Sequence, residues 1–166
     1  MTVKTSFVKI NNPELKYQII IGQANFSIFT TDNLFLTLLT AVPGIQCAIA
    51  MNEALPKLTR VTANNKELEK LAAENALAIG ASHCFVIMMD KAFPINVLPH
   101  IKNHPAVCNI FVASANEMEV IIAETTLGKA VLGVVDGSSV NAIENNKQCQ
   151  ERRELVEKIG YKIPEN

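Results

Sequence analysis

The stretch that most restricts how this chain can fold is residues 76–89, ALAIGASHCFVIMM. It reads as the end of a helix, a stop at Gly80, two small residues, a histidine and a wholly apolar strand. Side chains alternate along a strand, so His83, Phe85, Ile87 and Met89 face one way and Cys84, Val86 and Met88 the other. Both faces are apolar, and such a strand requires cover on both sides. The expectation is an α/β chain, a three-layer sandwich with a mixed sheet covered by helices on both faces. An α+β arrangement with every helix on one face is the alternative.

Other segments can supply that cover. Residues 3–10 alternate loosely, as an edge strand does, and Asn11-Asn12-Pro13 turns the chain. Residues 17–21 (YQIII) form a buried strand stopping at Gly22. Thr31 or Asp32 can cap a helix through Ala41, with Leu34, Leu38 and Ala41 on one side and Pro43-Gly44 at its end. Residues 45–51 (IQCAIAM) are a second buried strand, and 58–62 a short one. Asn64 with Glu67 gives an N-x-x-E start to a helix over 66–79. Its apolar face is Leu68, Leu71, Ala72, Ala76 and Ile79, and Gly80 is suited to end it. Pro94 opens a short helix over 94–102. Strands 107–115 and 120–125 are so close in sequence that an antiparallel hairpin is expected. Thr126-Leu127-Gly128 then turns into a strand over 130–135, and a helix over 148–159 closes the chain.

With 166 residues and no repeat or linker, one domain over 1–166 is expected. Fifteen basic against sixteen acidic residues leave a net charge of -1, which gives no footprint for nucleic acid or an anionic membrane. No apolar run approaches the roughly 18 residues of a membrane span, and MTVKTSFVKINN has no apolar signal-peptide core. A cytoplasmic location is the expectation. Cys47, Cys84, Cys108 and Cys149 form no CxxC pairing. The first three lie in or beside apolar strands and read as buried, reduced thiols.

Polar groups gather where apolar strands end. Gln23 and Asn25 follow one strand, Asn52 and Glu53 a second, and Asn116 and Asp136 the ends of two more. The expected hairpin puts Asn116 and Asp136 on one edge. Ligands bind beyond strand ends in open α/β sheets, although Asn, Asp and Gly also end strands simply because they make turns. His83 has two readings. It is either a structural residue bonded to a nearby carbonyl, or a general base or nucleophile toward phosphorus. Its place at the N-terminal end of its strand counts against a shared pocket if that strand runs parallel to the others. His100 and His104 read as surface residues, and the spacing of the three histidines fits no metal motif. There is no GxxxxGK[ST], no GxGxxG and no kinase-type DFG or HRD set. Lys129 and Lys102 are the cations near the expected pocket, which favours a nucleoside or monophosphate over a triphosphate.

Seven segments resemble one family. They are IIIGQANF (19–26), VPGIQCAIAMNEA (42–54), NALAIGASHCFVI (75–87), AFPINVLPHIKN (92–103), VCNIFVASAN (107–116), VIIAETTLGKAVLGVVDG (120–137) and ERRELVEKIGYK (151–162). In this order and spacing they are similar to adenosine-specific kinases. The resemblance implies a three-layer α/β fold, a compact oligomer of trimeric form, and binding of adenosine or AMP rather than ATP. It also implies a histidine that carries phosphate. No cofactor and no metal are expected. The family pattern GQ-x-H-F has Asn25 in place of its histidine here, and an amide accepts no phosphoryl group. The pattern GAGH becomes Gly80-Ala81-Ser82-His83, which keeps the second histidine. The ETxxGRG-type turn ends in Gly128-Lys129-Ala130, keeping a cation but losing a glycine and arginine's bidentate fork.

On this reading His83 is the catalytic residue. Glu53 or Asp136 orients the imidazole or the ribose hydroxyls, and Gln23, Asn96 and Asn116 read the purine edge. Asn25 and Lys129 complete the ligand-binding set. A non-catalytic nucleoside sensor and an oligomeric scaffold are the alternatives. Phe26, Phe29 and Phe35 are expected to be buried between subunits.

Overall fold

A computed structural model of the chain describes residues 3–25 and 31–161. Strands β2 (Gln18–Ala24), β3 (Gln46–Asn52), β4 (Thr59–Ala63), β5 (Cys84–Asp90) and β6 (Val107–Ser114) form one sheet, in the order β4-β3-β5-β2-β6. Strands β1 (Lys4–Lys9), β7 (Met118–Glu124) and β8 (Lys129–Asp136) form another, in the order β1-β7-β8. The helices are α1 (Thr31–Ala41), α2 (Lys66–Ile79), α3 (Pro94–Lys102) and α4 (Asn146–Lys158).

Every strand pairing is antiparallel, which corrects the expected mixed sheet. β2 and β3 do run in the same direction, joined through α1 as in a parallel crossover. β5 enters between them, antiparallel to both, so no two parallel strands are neighbours. The apolar strand anticipated at 84–89 is therefore central. Its alternate residues divide between two cores. Cys84, Val86 and Met88 join Ile19, Ile21, Ala48 and Ala50 against α2 and against Met118, Val120 and Ile122 of β7. Phe85, Ile87 and Met89 join Ile20, Cys47, Ile49 and Met51 against Leu34 and Leu38 of α1 and Val97 and Ile101 of α3.

The hairpin expected between 107–115 and 120–125 does not form. β6 pairs with β2, whereas β7 pairs with β1 and β8. Val112 of β6 and Val120 of β7 share one core cluster, so the chain changes sheet at 115–117 and the strands meet by their faces. β7 makes its hairpin with β8 instead.

Local signals moved by small steps. Asn65, not Asn64, caps α2, its side chain accepting from the N–H of Glu67 and Leu68 at 3.0 and 3.1 Å. Asn64 instead accepts from Cys47 N–H and donates to Ile45 C=O, both at 2.8 Å. Thr31 and Asp32 do not close the start of α1; their side chains bond the Thr62 hydroxyl, at 2.7 and 2.6 Å. Gly22 does not stop its strand but lies inside β2. A Cβ there would stand 2.5 Å from the Asn109 carbonyl oxygen and from Phe85 Cζ, so only glycine lets these groups approach. Cys108 is exposed on β6 rather than buried, and His104 is half-buried rather than solvated. Phe26 and Phe29 lie outside the described residues, and Phe35 packs within its own chain.

Candidate functional site

Antiparallel pairing decides where His83 stands. The N-terminal end of β5 adjoins the C-terminal ends of β2 and β3, so the residue shares an edge with the polar groups that follow those strands. His83 N–H donates to Asn52 C=O at 2.8 Å, and Ala24 N–H donates to His83 C=O at 3.0 Å. The backbone at His83 is left-handed, with φ 60°. A non-glycine residue there costs about 1 kcal/mol, held in place by these bonds.

Asn52 ties the edge together. Its side-chain amide donates to Ala76 C=O at 2.7 Å and Ala81 C=O at 3.0 Å, and its oxygen accepts from the Thr59 hydroxyl at 2.7 Å. The last turn of α2, the turn into β5 and the start of β4 are thereby locked to one buried residue. Gly80, with φ 65°, ends α2 in the left-handed conformation that glycine adopts freely. The Lys129 side chain runs over this helix end. Its Nζ lies 3.6 Å from where a Cβ on Gly80 would be, a favourable place for a cation.

Between these elements lies a cleft of about 740 Å3. One wall is Asn52, Glu53, Lys57 and Thr59, from the end of β3 to the start of β4. The second is Leu77, Gly80 and Ser82, and the third is Glu124, Leu127 and Lys129 at the β7–β8 turn. A smaller hollow of about 100 Å3 adjoins it, bordered by Gln23, Ser82, Phe111 and Lys129. Ser82 and Lys129 line both. Glu53 is held by Arg60, whose Nε donates to its carboxylate at 2.9 Å. Among the described residues Lys57, Lys129 and Glu124 enter no ion pair, so two cations and a carboxylate are available to a ligand. Cys84 borders the smaller hollow, but burial pushes its thiol up to about 12, leaving it protonated and inert.

Gln23, Glu53 and Lys129 thus meet at one place. The His83 imidazole is half-buried beside it, lines neither hollow and makes no hydrogen bond to a described residue. Asn25 is exposed just past β2, with its N–H donating to Ala106 C=O at 2.7 Å. Asn96 serves α3: its oxygen accepts from Phe93 N–H at 2.8 Å, and its amide donates to the Tyr161 hydroxyl at 3.4 Å. Asn116 and Asp136 do come together, at 3.1 Å, although through the β7–β8 hairpin and not the one expected. They occupy the hairpin's open end, about 20 Å along the strands from Lys129. Lys102 borders a separate hollow with Cys108 and Asn109.

Sequence reasoning missed Ser82, Lys57 and Glu124 as site residues. Glu124 opens the turn that ends at Lys129, so the ETxxGK segment carried that signal; Lys57 had none. No cluster of potential metal ligands occurs among the described residues, and no helix among them is long and apolar enough to cross a membrane.

The fold is shared with the crystal structure of the PH1918 protein from Pyrococcus horikoshii OT3, at a TM-score of 0.92 and 61% identity. That match covers 98% of this chain and 100% of the other. A comparison with curated proteins gives no match. The family model described as adenosine specific kinase matches residues 8–162, a span that contains β2, β3, β5 and the β7–β8 turn, and with them every wall of the cleft. The chain belongs to the adenosine specific kinase family.

Proposed function

We propose that this chain binds adenosine or AMP in the cleft between the β3–β4 loop, the end of α2 and the β7–β8 turn. The observation that carries the reading is the cleft itself. Its volume lies in the roughly 300–1,000 Å3 range of small-molecule sites. The Glu53 and Glu124 carboxylates suit ribose hydroxyls, while Lys57 and Lys129 match the charge of one phosphate. The longer phosphate chain of ATP would meet both carboxylates, and like charges there oppose binding. Gln23, in the adjoining hollow, offers an amide to a base edge.

Phosphoryl transfer belongs to the same reading, with His83 as carrier. A neutral imidazole nitrogen attacks the phosphorus of a phosphate donor, and the bond from phosphorus to the donor's leaving oxygen breaks. A nucleoside hydroxyl then takes the group, loses its proton and releases the imidazole. A half-buried ring without a competing hydrogen bond favours this role. The single 1–166 domain, the three-layer arrangement, the cytoplasmic location and the trimer complete the proposal. The division of β5 between a core with α2 and a core with α1 and α3 supports the layers.

Calorimetry with adenosine, AMP, ATP and guanosine tests ligand choice. Adenosine or AMP should bind most tightly, and Lys129→Ala should weaken AMP more than adenosine. Tightest binding of ATP would overturn the reading. Binding of none of the four would leave a nucleoside site without support.

A further inference from the structure

Two carboxylates line the larger cleft, and the fold treats them differently. Glu53, on the β3–β4 wall, is held by Arg60, whose Nε donates to its Oε2 at 2.9 Å. Glu124 ends β7 on another wall, and it has no ion pair and no side-chain hydrogen bond among the described residues. Two lysines stand opposite it in register, Lys4 on β1 and Lys129 on β8. Neither forms an ion pair with it. The Lys129 side chain runs instead over Gly80 at the end of α2.

The other polar groups of the cleft are less able to take a proton. The Thr59 hydroxyl is spent on Asn52, and the Asn52 amide on Ala76 and Ala81. Lys57 and Lys129 are cations, matched to phosphate oxygens and not to a hydroxyl proton. Ser82 carries a neutral hydroxyl, a poor base. Glu124 is left as the lining group that can accept a proton without first losing a partner. Its place beside Lys129 matters as well. Lys129 borders both hollows, and Ser82 and Cys84, the chain neighbours of His83, border the smaller one. A phosphoryl group bound to Lys129 therefore draws the hydroxyl that receives it toward the wall that carries Glu124.

We propose that the Glu124 carboxylate holds the 5′-hydroxyl of a bound nucleoside and takes its proton in phosphoryl transfer, while Glu53 holds the ribose diol. On the nucleoside reading above, on which this inference rests, that proton otherwise has no acceptor. Phosphoryl transfer asks little covalent chemistry of the protein, so orienting the attacking hydroxyl is a large part of the task of such a base. The nucleoside oxygen forms a bond to phosphorus, the phosphorus–nitrogen bond of phosphorylated His83 breaks, and its electron pair returns to the imidazole. The hydroxyl proton passes to Glu124, which is exposed and can return it to water. Glu53 is less suited to this exchange, because Arg60 already occupies one of its oxygens. A carboxylate held in this way is a fixed acceptor for hydroxyls that keep their protons.

Calorimetry with a ligand that lacks one hydroxyl tests the contact, and single-turnover transfer tests the proton. The parent should bind adenosine about 10–100-fold more tightly than 5′-deoxyadenosine, as a hydrogen bond to a charged group requires. In Glu124→Ala that gap should close, and in Glu53→Ala it should persist. Glu124 is exposed, so far-UV circular dichroism of its variant should match the parent. Full chain phosphorylated with acetyl phosphate should pass the group to saturating adenosine about 10²–10⁴-fold more slowly in Glu124→Ala, with partial recovery on addition of formate. A gap that survives in Glu124→Ala, or that closes in Glu53→Ala alone, would overturn the assignment. Transfer by Glu124→Ala at the parent's rate would do the same. A parent that binds neither adenosine nor AMP would remove the nucleoside site and this role with it. A parent that binds adenosine but acquires no phosphoryl group would overturn the proton transfer together with the carrier role of His83, and leave the nucleoside site standing.

Discussion

His83 pays for its position with an unfavourable backbone conformation, and that strain supplies a clean control for its chemistry. At φ 60° glycine is unstrained, so His83→Gly removes the imidazole while relaxing the turn. After incubation with a small high-energy phosphoryl donor such as acetyl phosphate, intact-mass analysis kept away from acid should find one phosphoryl group on the parent and none on His83→Gly. A phosphoryl group that persists in the variant would place the chemistry elsewhere. A parent that never acquires one would leave a binding module. The sequence marked His83 by its junction between small residues and an apolar strand, and that much was legible. It did not tell which way the ring faces, because a left-handed residue breaks the alternation used to read a strand. Asn52 illustrates the same limit. It was legible as a polar strand end, but its role comes from Ala76 and Ala81, which only the fold brings to its amide.

At the scale of elements, helices were more legible than strand partners. The 3.6-residue pattern of Leu68, Leu71, Ala72, Ala76 and Ile79 is written in one segment, whereas a strand's neighbours come from anywhere in the chain. The expected hairpin shows why. A short link from 115 to 117 favours pairing of the strands it joins, but β2 offers β6 a partner whose Ile19, Ile20 and Ile21 are all fully buried. Gly22 was read as a stop because glycine usually punctuates strands. It is instead where β6 and the Phe85 ring close on β2, and the β2–β6 register shifts between Ile21 and Gly22. Gly22→Ala forces a Cβ to 2.5 Å from the Asn109 carbonyl oxygen, a backbone atom that cannot swing aside. The expected cost is about 1–3 kcal/mol, read as a lower urea midpoint. Adding Phe85→Leu frees the ring side but not the carbonyl, so it should not restore the parent midpoint. An unchanged midpoint in Gly22→Ala would mean that the strands can separate there at no cost.

For the whole molecule, what the sequence lacked was the division into two sheets. Composition and alternation specify how much surface each strand must bury, not whether its cover is a helix or a second sheet. β7 covers part of the core that a helix was expected to cover, and its sheet turns Lys9 and Glu119 outward together with Phe7 and Ile121. This arrangement grades stability from the centre outward. Val86, Ile87 and Met88 are fully buried, with β2 and β3 bonded on either side. Their amides can exchange only when the whole sheet opens. The β1-β7-β8 sheet is held by one face, and α4 buries no residue. Amide hydrogen exchange at low urea should therefore rank β5 slowest, β8 intermediate and α4 fastest. Only β5 should show the denaturant dependence of global unfolding. If α4 matches β5 in a dilute, single-chain sample, the helix is held by its own chain and the graded picture fails.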